Sequence, residues 1–141
     1  MTFTDIVGGK IKKIHRVCDL ITMEFETSNQ QNVYVHIQSF FRIVKDNRVI
    51  ISSEDMYRCG KNVDSNQFVW DTPGRSIFDQ SLKENFDFIR TLRVIDVIKH
   101  PIGDITFCFE KNALIQILIN TTEFEEKYRI FDDFETIIVN S

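Results

Sequence analysis

No part of this 141-residue chain approaches the roughly 20 consecutive apolar residues of a membrane helix, so no membrane partner is expected. The segment from Met1 to Lys10 lacks both the basic opening and the apolar core of a secretory signal, and a cytoplasmic protein is expected. Cysteine is sparse: Cys18, Cys59 and Cys108 are odd in number, widely spaced and form no CxxC pair, so reduced, partly buried thiols are expected. The histidines His15, His36 and His100 show no i, i+4 spacing and no HExxH or HxH pattern, and no metal site is expected. No serine lies in a GxSxG turn, and Cys18 and His15 fall on opposite faces if their strand continues. Gly8-Gly9 precedes a strand rather than joining a strand to a helix, which reads as a flexible entry and not a phosphate cradle. Basic residues are not in excess. The net charge of −4 argues against a nucleic-acid partner, whose phosphates require clustered Lys and Arg. Together these absences predict a protein with no catalytic residues and no cofactor.

What the chain does contain is β-forming material. Phenylalanine occupies 13 positions and β-branched residues are frequent, and both suit pleated, half-buried surfaces. The length fits a single domain, residues 1–141.

The chain also repeats itself. Shifted by 84, Ile11–Thr27 overlies Ile95–Lys111, with identities at Ile11/Ile95, Ile14/Ile98, Ile21/Ile105, Thr22/Thr106, Phe25/Phe109 and Glu26/Glu110. Shifted by 87, Phe41–Ser52 overlies Tyr128–Val139, with Arg42/Arg129, Ile43/Ile130, Asp46/Asp133, Ile50/Ile137 and Ile51/Ile138 identical. Two blocks in the same order at nearly the same shift define copies at 10–53 and 93–140, joined by a helical linker at 54–92. A long period seen twice implies a pseudo-twofold, since a solenoid needs at least about three units.

Each copy reads as a meander of short strands. Ile11–Val17, Leu20–Glu26, Val33–Ile37, Phe41–Lys45 and Arg48–Ser52 make the first. Arg93–Lys99, Ile105–Glu110, Ala113–Ile119, Lys127–Phe131 and Glu135–Val139 make the second. Asp46-Asn47 suits a two-residue hairpin turn because both residues tolerate positive φ. Ala113–Ile119 is apolar except at Gln116, which predicts a central strand covered on both faces. In the linker, Phe68-Val69-Trp70 reads as a short strand, with Trp70 either anchored in the core or exposed as a docking residue. Phe78, Leu82, Phe86 and Ile89 fall at helical spacing, predicting a helix over 76–90 with Ser76 as N-cap. The expected architecture is α+β but mostly β: two duplicated antiparallel meanders forming a pseudo-twofold sandwich or open barrel, with that one helix.

Charge has drifted between the copies. Residues 10–53 hold seven Lys/Arg and four Asp/Glu, a balance of +3, whereas residues 93–141 hold five and nine, a balance of −4. Glu123, Glu125, Glu126, Asp132, Asp133 and Glu135 concentrate near the last hairpin. They read either as a solvated edge that deters aggregation or, with Trp70, as a surface for a basic protein partner.

At Tyr128-Arg129-Ile130-Phe131, following Ile105-Thr106-Phe107-Cys108-Phe109-Glu110 and an apolar strand, the chain resembles small bacterial β-rich immunity proteins of polymorphic and contact-dependent toxin systems. The family's acidic-glycine turn stands here as Lys111-Asn112. The resemblance implies an antitoxin that binds the C-terminal domain of one cognate toxin, often a nuclease. An alternative expectation is a small-molecule-binding β module with Phe and Tyr lining a pocket between the copies.

Overall fold

The computed structural model describes residues 2–140. Its strands are β1 (Lys10–Val17), β2 (Leu20–Glu26), β3 (Asn32–Ile37), β4 (Phe40–Lys45), β5 (Arg48–Ser52), β6 (Val94–Lys99), β7 (Ile105–Phe109), β8 (Ala113–Leu118), β9 (Glu126–Phe131) and β10 (Thr136–Asn140). One α-helix among the described residues, α1 (Ile77–Ile89), lies between the copies, after short 3-10 turns at Ser53–Tyr57 and Ser65–Gln67.

The strands form two antiparallel five-stranded sheets, ordered β1-β2-β3-β9-β10 and β5-β4-β8-β7-β6. Advancing each strand by five places converts one order into the other. The sheets do not close on one another, so the architecture is the sandwich and not the open barrel. Neither copy is a continuous meander, however. After its third strand each copy crosses over and gives its last hairpin to the other sheet. Hydrogen bonding explains why: the free edge of β3 is taken by β9, in register Tyr34↔Phe131 to Ile37↔Tyr128. The edge of β8 is taken by β4, from Phe40↔Leu118 to Lys45↔Ala113. A crossed pairing satisfies both edges at once and stitches the halves together.

Alternation sets the inner face. Ile21, Met23 and Phe25 of β2 are buried while Leu20, Thr22 and Glu24 are half-buried, as a period of two requires. The Phe25 and Phe107 rings meet across the sandwich at 5.4 Å. β8 is central as its composition suggests, but Leu114, Gln116 and Leu118 remain half-exposed, so its outer face is only partly covered. Asp46 and Asn47 adopt φ of 50° and 64°, and Lys111 and Asn112 adopt 62° and 55°, the double left-handed turn that matches strand twist.

The linker helix follows its expected bounds. The Ser76 hydroxyl accepts the Asp79 amide as N-cap, and Arg90 closes the C-terminus. Phe78 and Ile89 are buried, with Leu82 and Phe86 packed more loosely beside them. Burying Phe78 is worth about 2–3 kcal/mol, and its ring meets Phe41 of β4 at 6.5 Å. Phe68-Val69-Trp70 is not a strand: it has no ladder partner and leads into a turn. Gly8-Gly9 is no loose entry either. Gly8 N–H bonds the Val94 carbonyl at 2.8 Å and Val94 N–H bonds the Gly9 carbonyl at 2.9 Å. A Cβ on Gly9 would lie 2.9 Å from the backbone oxygens of Ile6 and Glu26, so glycine there permits close approach.

Candidate functional site

The acidic residues of the second copy do not converge on one patch. Glu123, Glu125 and Glu126 lie at the start of β9, whereas Asp132, Asp133 and Glu135 lie beyond its end. Much of their charge is already engaged. Glu125 meets the buried Lys127 ammonium at 3.2 Å, and Glu126 meets Arg129 at 2.8 Å. Asp132 Oδ1 accepts the Phe134 and Glu135 amides at 2.8 and 2.7 Å, closing the turn between β9 and β10.

Each acidic segment instead presents an aromatic side chain. Phe124, between Glu123 and Glu125, is 83% exposed, and Phe134, between Asp133 and Glu135, is 87% exposed. No other large apolar side chain among the described residues is as exposed. Charge alone drew attention to these segments in the sequence. The missed signal was an aromatic flanked on both sides by carboxylates in a turn, where no strand pattern requires a buried residue.

Trp70 sits elsewhere, half-buried, its ring 5.1 Å from Tyr57 and 5.9 Å from the Arg16 guanidinium. It is part of a knot around a buried ion pair. Arg16, on the edge strand β1, places Nε and Nη2 each 2.8 Å from the two Asp79 carboxylate oxygens. The side chains are 6% and 13% exposed. Arg16 also donates to the carbonyls of Trp70 at 2.6 Å and Cys18 at 2.9 Å, while Gly74 N–H donates to Asp79 at 3.0 Å. Burial alone would raise the Asp79 carboxyl, but the Arg16 hydrogen bonds and charge, aided by Ser76 and Gly74, hold it below the usual carboxylate range. The same bond to Asp79, against the cost of burial, raises Arg16. Sixty-three positions separate the two residues, so no local pattern announces the pair. It fixes β1, the Trp70–Gly74 loop and the N-terminus of α1 to one another.

Beside this knot a groove of about 590 Å³ opens between β1 and α1, its walls including Lys13, Ile14, Pro73, Leu82, Lys83 and Phe86. Cys18 and His15 both border it, because β1 ends at Val17 and Cys18 turns back with φ of 52° rather than continuing the alternation. The His15 ring contacts Thr22 Oγ1 at 2.9 Å. His36 lies on the outer face of the first sheet, edge-on to Phe131 at 4.9 Å. Desolvation, followed by the Arg129 charge, lowers its pKa. His100 occupies the exposed turn after β6. Among the described residues no three His, Cys, Asp or Glu side chains gather as a metal-ligand set, and no helix is long and apolar enough to cross a membrane.

No family model, curated protein or solved structure matches the chain.

Proposed function

We propose that this chain is a non-catalytic immunity protein, acting in the cytoplasm, that binds and blocks a cognate toxin domain. The observation that carries this reading is the exposure of Phe124 and Phe134, each set between carboxylates. A solvated phenylalanine has no stabilising role in the free fold, whereas aromatic anchors ringed by polar residues are the usual core of a protein interface. Glu123 and Asp133, adjacent to these rings, add negative charge that favours a basic partner. A nuclease domain has a basic substrate cleft, and an acidic inhibitor would occupy it by presenting charge where phosphates bind.

The test is co-expression with the product of the adjacent gene, followed by size-exclusion chromatography and calorimetry. A one-to-one complex weakened by salt is expected. Phe124→Ala or Phe134→Ala should each weaken it about tenfold or more without moving the melting temperature. No complex, or one indifferent to both substitutions, would overturn the reading.

A further inference from the structure

The groove between β1 and α1 has the properties of a strand-acceptor site. Residues 12–16 of β1 all line it. Successive side chains of a strand point to opposite faces, so a cavity touching consecutive residues lies against the strand's edge and its backbone. That edge is free. β1 ends its sheet, and beyond the bridge from Lys10 to Arg93 no strand among the described residues covers it. Among the described residues, the backbone groups of 12–17 that point away from β2 take no backbone hydrogen bond. The corresponding edge strand of the second sheet, β6, meets the same short ladder at its start, where Val94 bonds Gly8 and Gly9.

Opposite the free edge, α1 supplies Leu82 and Phe86, which with Ile14 make an apolar floor. The uncommitted charge at the rim is mainly cationic. Asp79 is committed to Arg16, and Asp87 lies 3.5 Å from Arg90. Asp71 acts on Arg16. Lys12 turns to Glu24 and Glu26, at 3.6 and 3.7 Å. Lys13 and Lys83 have no ion-pair or hydrogen-bond partner among the described residues.

We propose that this groove binds an extended acidic segment of a partner protein, which adds to the sheet as a sixth strand beside β1. Main-chain hydrogen bonds to residues 12–17 supply affinity, an apolar side chain on alternate positions enters between Ile14, Leu82 and Phe86, and carboxylates meet Lys13 and Lys83. The site belongs to the basic copy and the linker helix, and is independent of the toxin-blocking reading drawn from Phe124 and Phe134.

The probe is a displayed library of random peptides about ten residues long, selected on the intact protein, with the winners synthesised and titrated. Winners should be rich in acidic and β-branched residues at alternating positions. They should bind Lys13→Glu and Lys83→Glu about tenfold more weakly, although both variants keep the parent melting temperature. Copies of a winner N-methylated on alternate residues should lose binding, and bound peptide should slow hydrogen exchange at the outward amides of residues 12–17. Binders indifferent to the lysine variants or to N-methylation overturn the proposal, as does a library that yields none. Tight binding of decanoate without any peptide binder would show a small-anion pocket instead and overturns it equally.

Discussion

The two copies close equivalent corners of the sandwich by different means. Phe41 and Tyr128 occupy matching positions at the start of β4 and β9, and both are fully buried. In the first copy the cover comes from outside the repeat: Phe78 of α1 packs its ring 6.5 Å from Phe41. In the second copy the cover is the repeat's own turn, His100–Asp104, and the Tyr128 hydroxyl donates to the Gly103 carbonyl at 2.8 Å. Gly103 adopts φ of +110°, and a Cβ there would lie 3.0 Å from a Val139 methyl. Burial raises the Tyr128 phenol far above its usual range, so the hydroxyl stays protonated as a donor. A buried position can therefore be completed by apolar area borrowed from a linker or by one hydrogen bond made locally. The first route leaves a seam, and the β1–α1 groove lies along it.

The comparison breaks most severely at Phe78. Phe78→Ala should cost about 3–5 kcal/mol, because it opens a cavity over Phe41 that the helix alone cannot refill. Urea denaturation would measure this, and a loss under 1 kcal/mol would show that α1 is dispensable to the first copy. Next is the ion pair. Asp79→Asn leaves the Arg16 guanidinium buried without its counter-charge and should cost about 3 kcal/mol. Its pH dependence has a definite sign. The folded Asp79 pKa is depressed, so its contribution is present above the unfolded carboxylate pKa and is lost as pH falls through the folded value. Stability of Asp79→Asn should accordingly fall less steeply with acid than that of the parent.

Smaller effects separate the two corners. Tyr128→Phe should cost about 1–2 kcal/mol by leaving the Gly103 carbonyl unpaired. Phe41→Tyr should cost a similar amount, for the reverse reason that it adds a hydroxyl at a fully buried position that now carries none. Were Phe41→Tyr neutral, the two corners would be interchangeable and the comparison would fail. The smallest change is expected at Glu126→Gln, whose partner Arg129 is 44% exposed, where thermal melting should register less than about 1 kcal/mol.

Much of this was legible in the chain. The alternation in Leu20–Glu26, the Asp46-Asn47 turn and the Ser76-capped helix are local properties, and each lies within a residue or two of its expected place. The crossed pairing was not, because β3 and β4 are separated by only Gln38-Ser39 and look like neighbours in one meander. Which edge a strand meets depends on every edge available, and the β9 residues that β3 pairs with lie 91 to 97 positions away. The site was legible only in part. The acidic residues stand out by composition, yet Lys127 and Arg129, which neutralise two of them, come from the same short strand. Trp70 stands out by its type, but its place depends on Arg16, 54 positions earlier in the chain.

The sequence by itself determined the strands, their inward faces, the turns and the helix, since each follows from side-chain period and backbone preference within a few residues. It also determined that one copy is basic and the other acidic. Only the tertiary structure decided that the copies exchange their last hairpins, that Arg16 and Asp79 share a buried site, and that β1 keeps a free edge beside α1. Those are outcomes of competition among distant hydrogen-bonding edges and buried charges, settled by which arrangement satisfies all of them together.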